Sequence, residues 1–529
     1  MKIQYLIPLF LSSAAVAEHP YDFVPDDAMA ILSIQDGKSI NKIFESINEQ
    51  SGLAPAKSNI LETYLSQFFK DPSAIDLSSE AIIIVEPTKL SGGQKSGGQA
   101  MFGPMPHMMV ICKEKKGQSI ETTATSGLIT TTKVDGWFIA TGASEWSPRS
   151  SIGLSPILEN LPKAQISSTV KFSSLWSKFG PILQMTGGFA IGMLNKPGPD
   201  GVISPETKKS AASARKAFGA LTTWCSSVQD ISMSVDFDVF TAVATLDVKM
   251  KEQYDLTIDN KSIEEMASLL TVSSVQYAMS GRLTRMLLEM DIESLRGISS
   301  SADFVPPIFL TNSVRALSAL VEDNVVSYGL NKKNGFTLVG LSDVSNQNKY
   351  LEDIPNVLDE ITGLLLNEYS VELSPSNSSY TWDFKMISTD EEEGRVMNAV
   401  THEDDQLRFK RQGSNRVMMS LGPQSWRPLR QPRPTPLSQV IRKYVDGVDI
   451  DFAMSLDARS FAVGFADVAS VANPNDPISI ESSPSAKMSL LLGKTTTGGL
   501  FEIQADLFGM ATLISELDDV NQSKRNKKK

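Results

Sequence analysis

One order of sequence signals occurs twice along the chain. A fold that hosts it must supply the same kind of strand-and-helix layer two times over. Residues 31–47 read ILSIQDGKSINKIFESI and residues 338–354 read LVGLSDVSNQNKYLEDI. At this spacing of 307 residues five pairs are identical: Asp36 with Asp343, Asn41 with Asn348, Lys42 with Lys349, Glu45 with Glu352 and Ile47 with Ile354. A second echo, 280 residues apart, sets Trp137 to Gly142, with Trp146 and Pro156 after it, against Val417 to Gly422, with Trp426 and Pro436 after it. A third, at 255, pairs Met233-Ser234 with Met488-Ser489. The order holds while the spacing falls, so the first copy carries extra residues in two places. These are the glycine repeats and Met/Pro run of residues 91–107 and the Gly/Met and turn-rich stretch of residues 185–201. Both compositions suit surface excursions.

Local patterns give the copies a common plan. Each opens with a strand (29–34 or 336–341) and continues into a helix, where Leu351, Ile354, Leu358, Ile361 and Leu365 recur at helical spacing. Strands follow at 81–85, 108–112, 128–133 and 137–141, and in the second copy at 370–373, 381–387, 407–411 and 416–421. Each copy ends in an alternating pair that reads as a hairpin, 231–237 with 240–250 and 487–492 with 500–507, and the first adds a long helix over 206–228. Stretches 262–270 and 275–298 read as connecting helices. Strands in series with few helices imply an α+β fold. The expectation is two related units, each a largely antiparallel sheet with helices packed on one face, joined by a helical segment. The divisions are 18–250, 251–334 and 335–510, with a basic disordered tail over 511–529.

The first residues predict export. Lys2 precedes an apolar run from Tyr5 to Leu11 and a Ser12-Ser13-Ala14-Ala15-Val16-Ala17 end, the pattern of a signal peptide cut after Ala17. No later stretch offers the ~20 consecutive apolar residues of a membrane span. The nearest, 180–194, holds Gln184, Thr186 and four glycines and reads as a buried or mobile segment. The formal charge of −12 argues against a nucleic-acid partner. The two cysteines, Cys112 and Cys225, can pair or remain separate buried thiols. With three scattered histidines they fit no zinc spacing, and no cofactor is expected.

The opening Val24-Pro25-Asp26-Asp27-Ala28-Met29-Ala30-Ile31-Leu32-Ser33-Ile34, just after a signal peptide, resembles large secreted proteins of uncharacterised domain families in planctomycete-type bacteria. The resemblance implies export and a strand-first fold; it implies no activity and carries no site residue.

Reactive constellations are sparse. His19 lies near the start, His107 ends the Met/Gly/Pro loop, and His402 precedes Glu403-Asp404-Asp405; none has a nucleophile at a recognisable spacing. Ser213 and Lys216 satisfy Ser-x-x-Lys inside a helix, and Gly493-Lys494-Thr495 lacks the upstream glycine of a phosphate loop, Met488 standing there. The acids of 390–393 and Asp446, Asp449 and Asp451 fit no calcium loop. Two surfaces suit a partner. Arg427, Arg430 and Arg433 lie in a Pro-rich run that would meet an acidic envelope or extracellular protein or a polysaccharide. Met101, Phe102 and Met105 form an adaptable apolar tip. The expected function is therefore an exported, non-catalytic binding or cell-envelope structural protein. The alternatives are a hydrolase of exported substrates and a carrier of apolar ligands.

Overall fold

In an antiparallel sheet neighbouring side chains point to opposite faces, so a strand with no polar alternation must be covered twice. Residues 81–86, Ala-Ile-Ile-Ile-Val-Glu, are such a strand. In the computed structural model Ile82 and Ile84 enter one apolar cluster and Ile83 another. The structure describes residues 19–51, 71–86, 107–118, 130–134, 136–141, 155–194, 203–270, 273–289, 311–331, 335–387, 394–395, 397, 400–401, 405–422 and 432–527. The chain divides into two compact units, residues 1–42 with 57–171, and residues 43–56 with 172–529.

The first unit holds β1 (Ala30–Ile34), the start of α1 (Gly37–Ser51), β2 (Ala81–Glu86), β3 (His107–Lys113), β4 (Thr130–Val134), β5 (Trp137–Thr141) and β6 (Ile166–Val170). All pairings are antiparallel, in the order β4-β5-β3-β2-β1-β6. On one face Ile31, Ile82, Ile84, Ile111, Trp137 and Ile139 pack with Phe23, Val24 and Ile157. On the other Ile83, Val110, Cys112, Phe138 and Ala140 pack with Ala74, Ile75 and Leu77. Asp36 caps α1: the Ser39 N–H donates to it at 3.0 Å and the Ser39 hydroxyl at 2.6 Å.

The second unit begins with α2 (Phe172–Leu194), α3 (Pro205–Ser227), β7 (Val228–Asp238), β8 (Thr241–Met250), α4 (Lys261–Leu269), β9 (Val275–Ser280) and α5 (Gly281–Glu289). It continues through α6 (Asn312–Ser318), β10 (Val321–Asn331), β11 (Gly335–Val344), α7 (Gln347–Tyr369), β12 (Val371–Pro375), β13 (Thr381–Met386), β14 (Gln406–Gln412) and β15 (Arg416–Gly422). It ends with α8 (Pro436–Arg442), β16 (Asp449–Asp457), α9 (Ala458–Ala472), β17 (Lys487–Thr495), β18 (Gly498–Asp506) and α10 (Leu507–Lys527). Its strands pair antiparallel in the order β7-β8-β18-β17-β16-β9-β10-β11-β15-β14-β13-β12.

The mixed α+β class and the large antiparallel sheet agree with the sequence reading. Helices, however, cover both faces of the second sheet rather than one. Met418 of β15 joins the cluster under α4 and α8, while its neighbour Val417 joins the cluster under α7. The stretch 275–298 does not form one connecting helix: it opens with β9, which lies between β10 and β16, and turns into α5 at Gly281. Residues 511–527 are not a loose tail but continue α10.

The matched aspartates occupy different settings. Asp36 is a helix cap, whereas Asp343 lies within β11, buried against Arg416. The cap of α7 is Asn346, which accepts from the Lys349 N–H at 3.0 Å. Strand, cap and helix therefore correspond at 310 residues, three beyond the spacing that aligns the identities. A different correspondence runs through the ladders. Numbered by rank along the chain, β1 to β6 pair in the order 4-5-3-2-1-6. The strands β9, β10, β11, β14, β15 and β16 pair in the same rank order, with α7, β12 and β13 inserted after the third. A hairpin follows each set, β7–β8 and β17–β18. Each set also ties the residue that opens its short helix, the 3-10 turn Pro156–Asn160 in the first and α8 in the second, back to the segment before its first strand. The Ser155 hydroxyl donates to the Pro25 carbonyl at 2.7 Å, and the Thr435 hydroxyl to the Ala267 carbonyl at 3.0 Å.

Gly281 is the point where β9 becomes α5, and a Cβ there would overlap the backbone carbonyls of Glu322 and Val321 in β10. Backbone cannot rotate away as a side chain tip can. Gly281→Ala is therefore expected to cost about 1–3 kcal/mol, read as a lower urea midpoint. Gly188→Ala in α2, where the added methyl meets nothing, is expected to stabilise by up to about 1 kcal/mol.

Candidate functional site

Helices α2 and α3 form an antiparallel hairpin at the start of the second unit. Serine 204 caps α3, accepting from the Thr207 N–H at 3.0 Å, and Pro205 sits at the first helical position. The Phe218 ring lies where a side chain at position 187 would stand, so Gly187 lets the two helices close up. Ile191 and Ala211 are buried. Nearer the sheet, Phe172 stacks on Trp176 at 6.3 Å and meets Trp224 at 6.4 Å.

That contact uses only one side of α2. At 100° per residue Gly187 and Ile191 share one face, and Ile182, Met185, Phe189 and Met193 fall on the opposite face, spaced three, four and four residues apart. Met185 and Phe189 are each 66% exposed and Met193 is 48% exposed. Leu183, one turn before Gly187, is also exposed. No charged residue stands between Lys178 and Lys196. A helix apolar on both sides is normally buried on both, and a run of large exposed side chains marks a contact surface. The reading of 180–194 as a buried or mobile segment is thus replaced by an exposed helix face. The interval of the stripe is visible in the sequence, but whether that face is covered depends on what packs against the helix.

A second feature is a cleft of about 410 Å³ between α8 and strands β8, β16, β17 and β18, lined by residues that include Lys443, Tyr444, Ser489, Glu502 and Gln504. Glu502 accepts from the Lys443 ammonium at 2.8 Å and from the Tyr444 hydroxyl. Burial, then the bond to Glu502, raises the Tyr444 phenol. Burial alone would lower the Lys443 ammonium, but the bond to Glu502 outweighs it and the group is raised. Both therefore keep their protons at neutral pH, and neither is poised as a base or nucleophile.

Other acids are tied to arginines. The Arg282 Nε donates to Asp451 at 2.8 Å and its Nη1 pairs with Asp449. Asp446 is exposed. Arg416 donates from Nε to Asp343 and from Nη2 to Glu265, both at 3.0 Å, and holds the Glu265 carboxyl below its usual range. Among the described residues no group of three or more His, Cys, Asp or Glu gathers as metal ligands do. No helix of the described residues is long and apolar enough to cross a membrane.

Of the sequence candidates, Arg433 is exposed, and its N–H donates to the Ser268 carbonyl at 2.9 Å, which pins the lead-in to α8. Arg427, Arg430, Met101, Phe102, Met105, His402 and residues 390–393 lie outside the described residues. Ser213 and Lys216 sit in α3, and Lys494 in β17 ahead of the turn into β18. His107 opens β3, and His19 stacks on Tyr21 at 4.5 Å. Cys112 and Cys225 are both free thiols, each buried in its own unit. Burial, aided by Glu114, pushes the Cys112 thiol up to about 12.

No protein-family model matches the chain, and no curated protein matches it. Among solved structures, crystal form III of TP0453 is similar over 49% of this chain and 98% of its own, at 7% identity and a TM-score of 0.22. Crystal form I of TP0453 is similar over 50% and 99%, at 8% identity and a TM-score of 0.21. Likeness at that level carries no argument about fold or function.

Two outcomes follow from the ionisable groups. Burial, with Asp343, Glu322 and Asp259 nearby, pushes the Asp323 carboxyl up to about 6 against the pull of the Gly281 N–H. The folded state then binds this proton more tightly than the unfolded one. The contribution to stability is full below about pH 4 and is lost as pH rises to about 6. Asp323→Asn should match the native protein in urea unfolding at pH 4. At pH 7 it should exceed it by on the order of 1–2 kcal/mol; a difference independent of pH would refute this. Thiol titration without reductant should find Cys112 unreactive in the folded protein and two thiols after unfolding.

Proposed function

We propose that this protein is an exported, non-catalytic binding protein of the cell envelope that makes its principal contact through the α2–α3 hairpin. The apolar stripe of Met185, Phe189 and Met193 carries the reading, because exposing these side chains costs free energy that only a partner recovers. The cleft beside α8 supports binding over hydrolysis: its lysine and tyrosine are held in their protonated forms by Glu502. The signal-peptide pattern at residues 1–17 supports export.

The scaffold is, on this reading, a duplication framed differently from the sequence echoes. One copy runs from residue 20 to 250 and the other from 261 to 506. The identical rank order of six strands, the same antiparallel sense, the following hairpin and the paired cap contacts support it. In this frame α9 follows the sixth strand of the later copy, and in the earlier copy the α2–α3 hairpin takes that place. The contact element is thus an elaboration of one copy.

Methionine oxidation tests the reading. Met185 and Met193 should oxidise several-fold more slowly in intact envelopes of the source cell than in the purified chain, with Met286, 54% exposed on α5, as the internal control. Equal oxidation in both settings would remove the reading.

A further inference from the structure

The stripe has a specific chemical setting. Residues 172–227 hold six basic residues, Lys178, Lys196, Lys208, Lys209, Arg215 and Lys216, against two acidic ones, Asp200 and Glu206. The segment is therefore +4 within a chain of −12, which leaves −16 for everything else. The contact of Phe218 with the Gly187 position sets the register of the hairpin. It runs the basic first half of α3 alongside the apolar second half of α2. Lys178, Lys208, Arg215 and Lys216 are exposed.

We infer that the α2–α3 hairpin docks on an anionic lipid surface, with Ile182, Met185, Phe189 and Met193 entering the headgroup–acyl boundary, Lys178 on the same face of α2 at the phosphate level, and the α3 cations behind α2 adding to the attraction within about a Debye length. The inference rests on the proposed contact role of α2 and names its partner. Three physical points favour this occupant. A helix that lies in an interface needs one apolar side and nearby lysines and arginines, and no span of ~20 apolar residues. Long basic side chains place their charge at the phosphate level while their stems lie along apolar surface. The acidic remainder of the chain is repelled by an anionic surface within a Debye length, so attraction is confined to the hairpin. A second copy of the chain would bring two hairpins of +4 together, which like charge opposes.

The test is flotation of the chain from residue 18 onward with vesicles of phosphatidylcholine alone and with one-third phosphatidylglycerol. Binding to the anionic vesicles is expected at least tenfold above the neutral ones and should weaken between 50 and 500 mM salt, conditions set by the screening length. The triple variant Met185→Ser, Phe189→Ser, Met193→Ser should lose most of the binding. The variant Lys208→Gln, Arg215→Gln, Lys216→Gln should lose the preference for anionic lipid. Both change exposed positions, and an unchanged thermal midpoint verifies that each folds. No flotation with anionic vesicles, equal flotation with neutral ones, or unaltered binding by the first variant overturns the inference. A dimer in sedimentation that the first variant splits also overturns it, in favour of a second copy. Methionine protection in envelopes without vesicle binding would leave the contact role standing and remove only the lipid; loss of protection removes both.

Discussion

Burial on both faces of the antiparallel sheets is the constraint from which the rest follows. Consecutive residues of one strand enter different cores: Val110, Ile111 and Cys112 in the first unit, Val417 and Met418 in the second. Strands covered on both sides, such as β2 and β5, are then apolar nearly throughout, and each face needs its own cover. The second unit meets this with α4 and α8 on one side of the sheet and α7 on the other. The buried Asp343 and Asp451 carboxylates are paired with arginines in this layer. The α2–α3 hairpin stands apart from this scheme, because among the described residues its outward apolar face is exposed.

The repeated strand order and the repeated residues describe different things. Identities at 307 residues set Asp36 against Asp343, yet one caps a helix and the other anchors a buried ion pair. Short polar acceptors such as Asp, Asn and Ser recur wherever a strand leads into a capped helix, because the free N–H groups of a first turn demand them. That local requirement is met by Asp36 in α1 and by Asn346 in α7, three residues past the position that the identities match to Asp36. Ladder order depends instead on which strands meet across long stretches of chain. The β9–β10–β11 path tracks β1–β2–β3, and no run of identical residues advertises it.

Charge is unevenly spread along the chain. An excess of acids repels most anionic surfaces. Concentrating cations beside an uncharged apolar stripe reverses that tendency over one hairpin. The polar cleft at α8 is a different kind of feature: Glu502 neutralises Lys443 and bonds Tyr444, so its charges are spent internally.

Periodicity and turn chemistry in the sequence determined the mixed α+β class, most strand positions, the terminal hairpins at 228–250 and 487–506 and the helices over 205–227 and 347–369. These depend on residues within one or two turns of each other. Partners in the ladders, the second covered face and the exposure of α2 were decided by the tertiary structure. Residues 275–280 show why: their apolar run merges with the helical spacing after Gly281, and only pairing with β10 and β16 makes them a strand. Residues 180–194 show the converse. Their composition says that they leave water or resist order, but whether a helix face is covered depends on what packs against it, and α3 covers only one side.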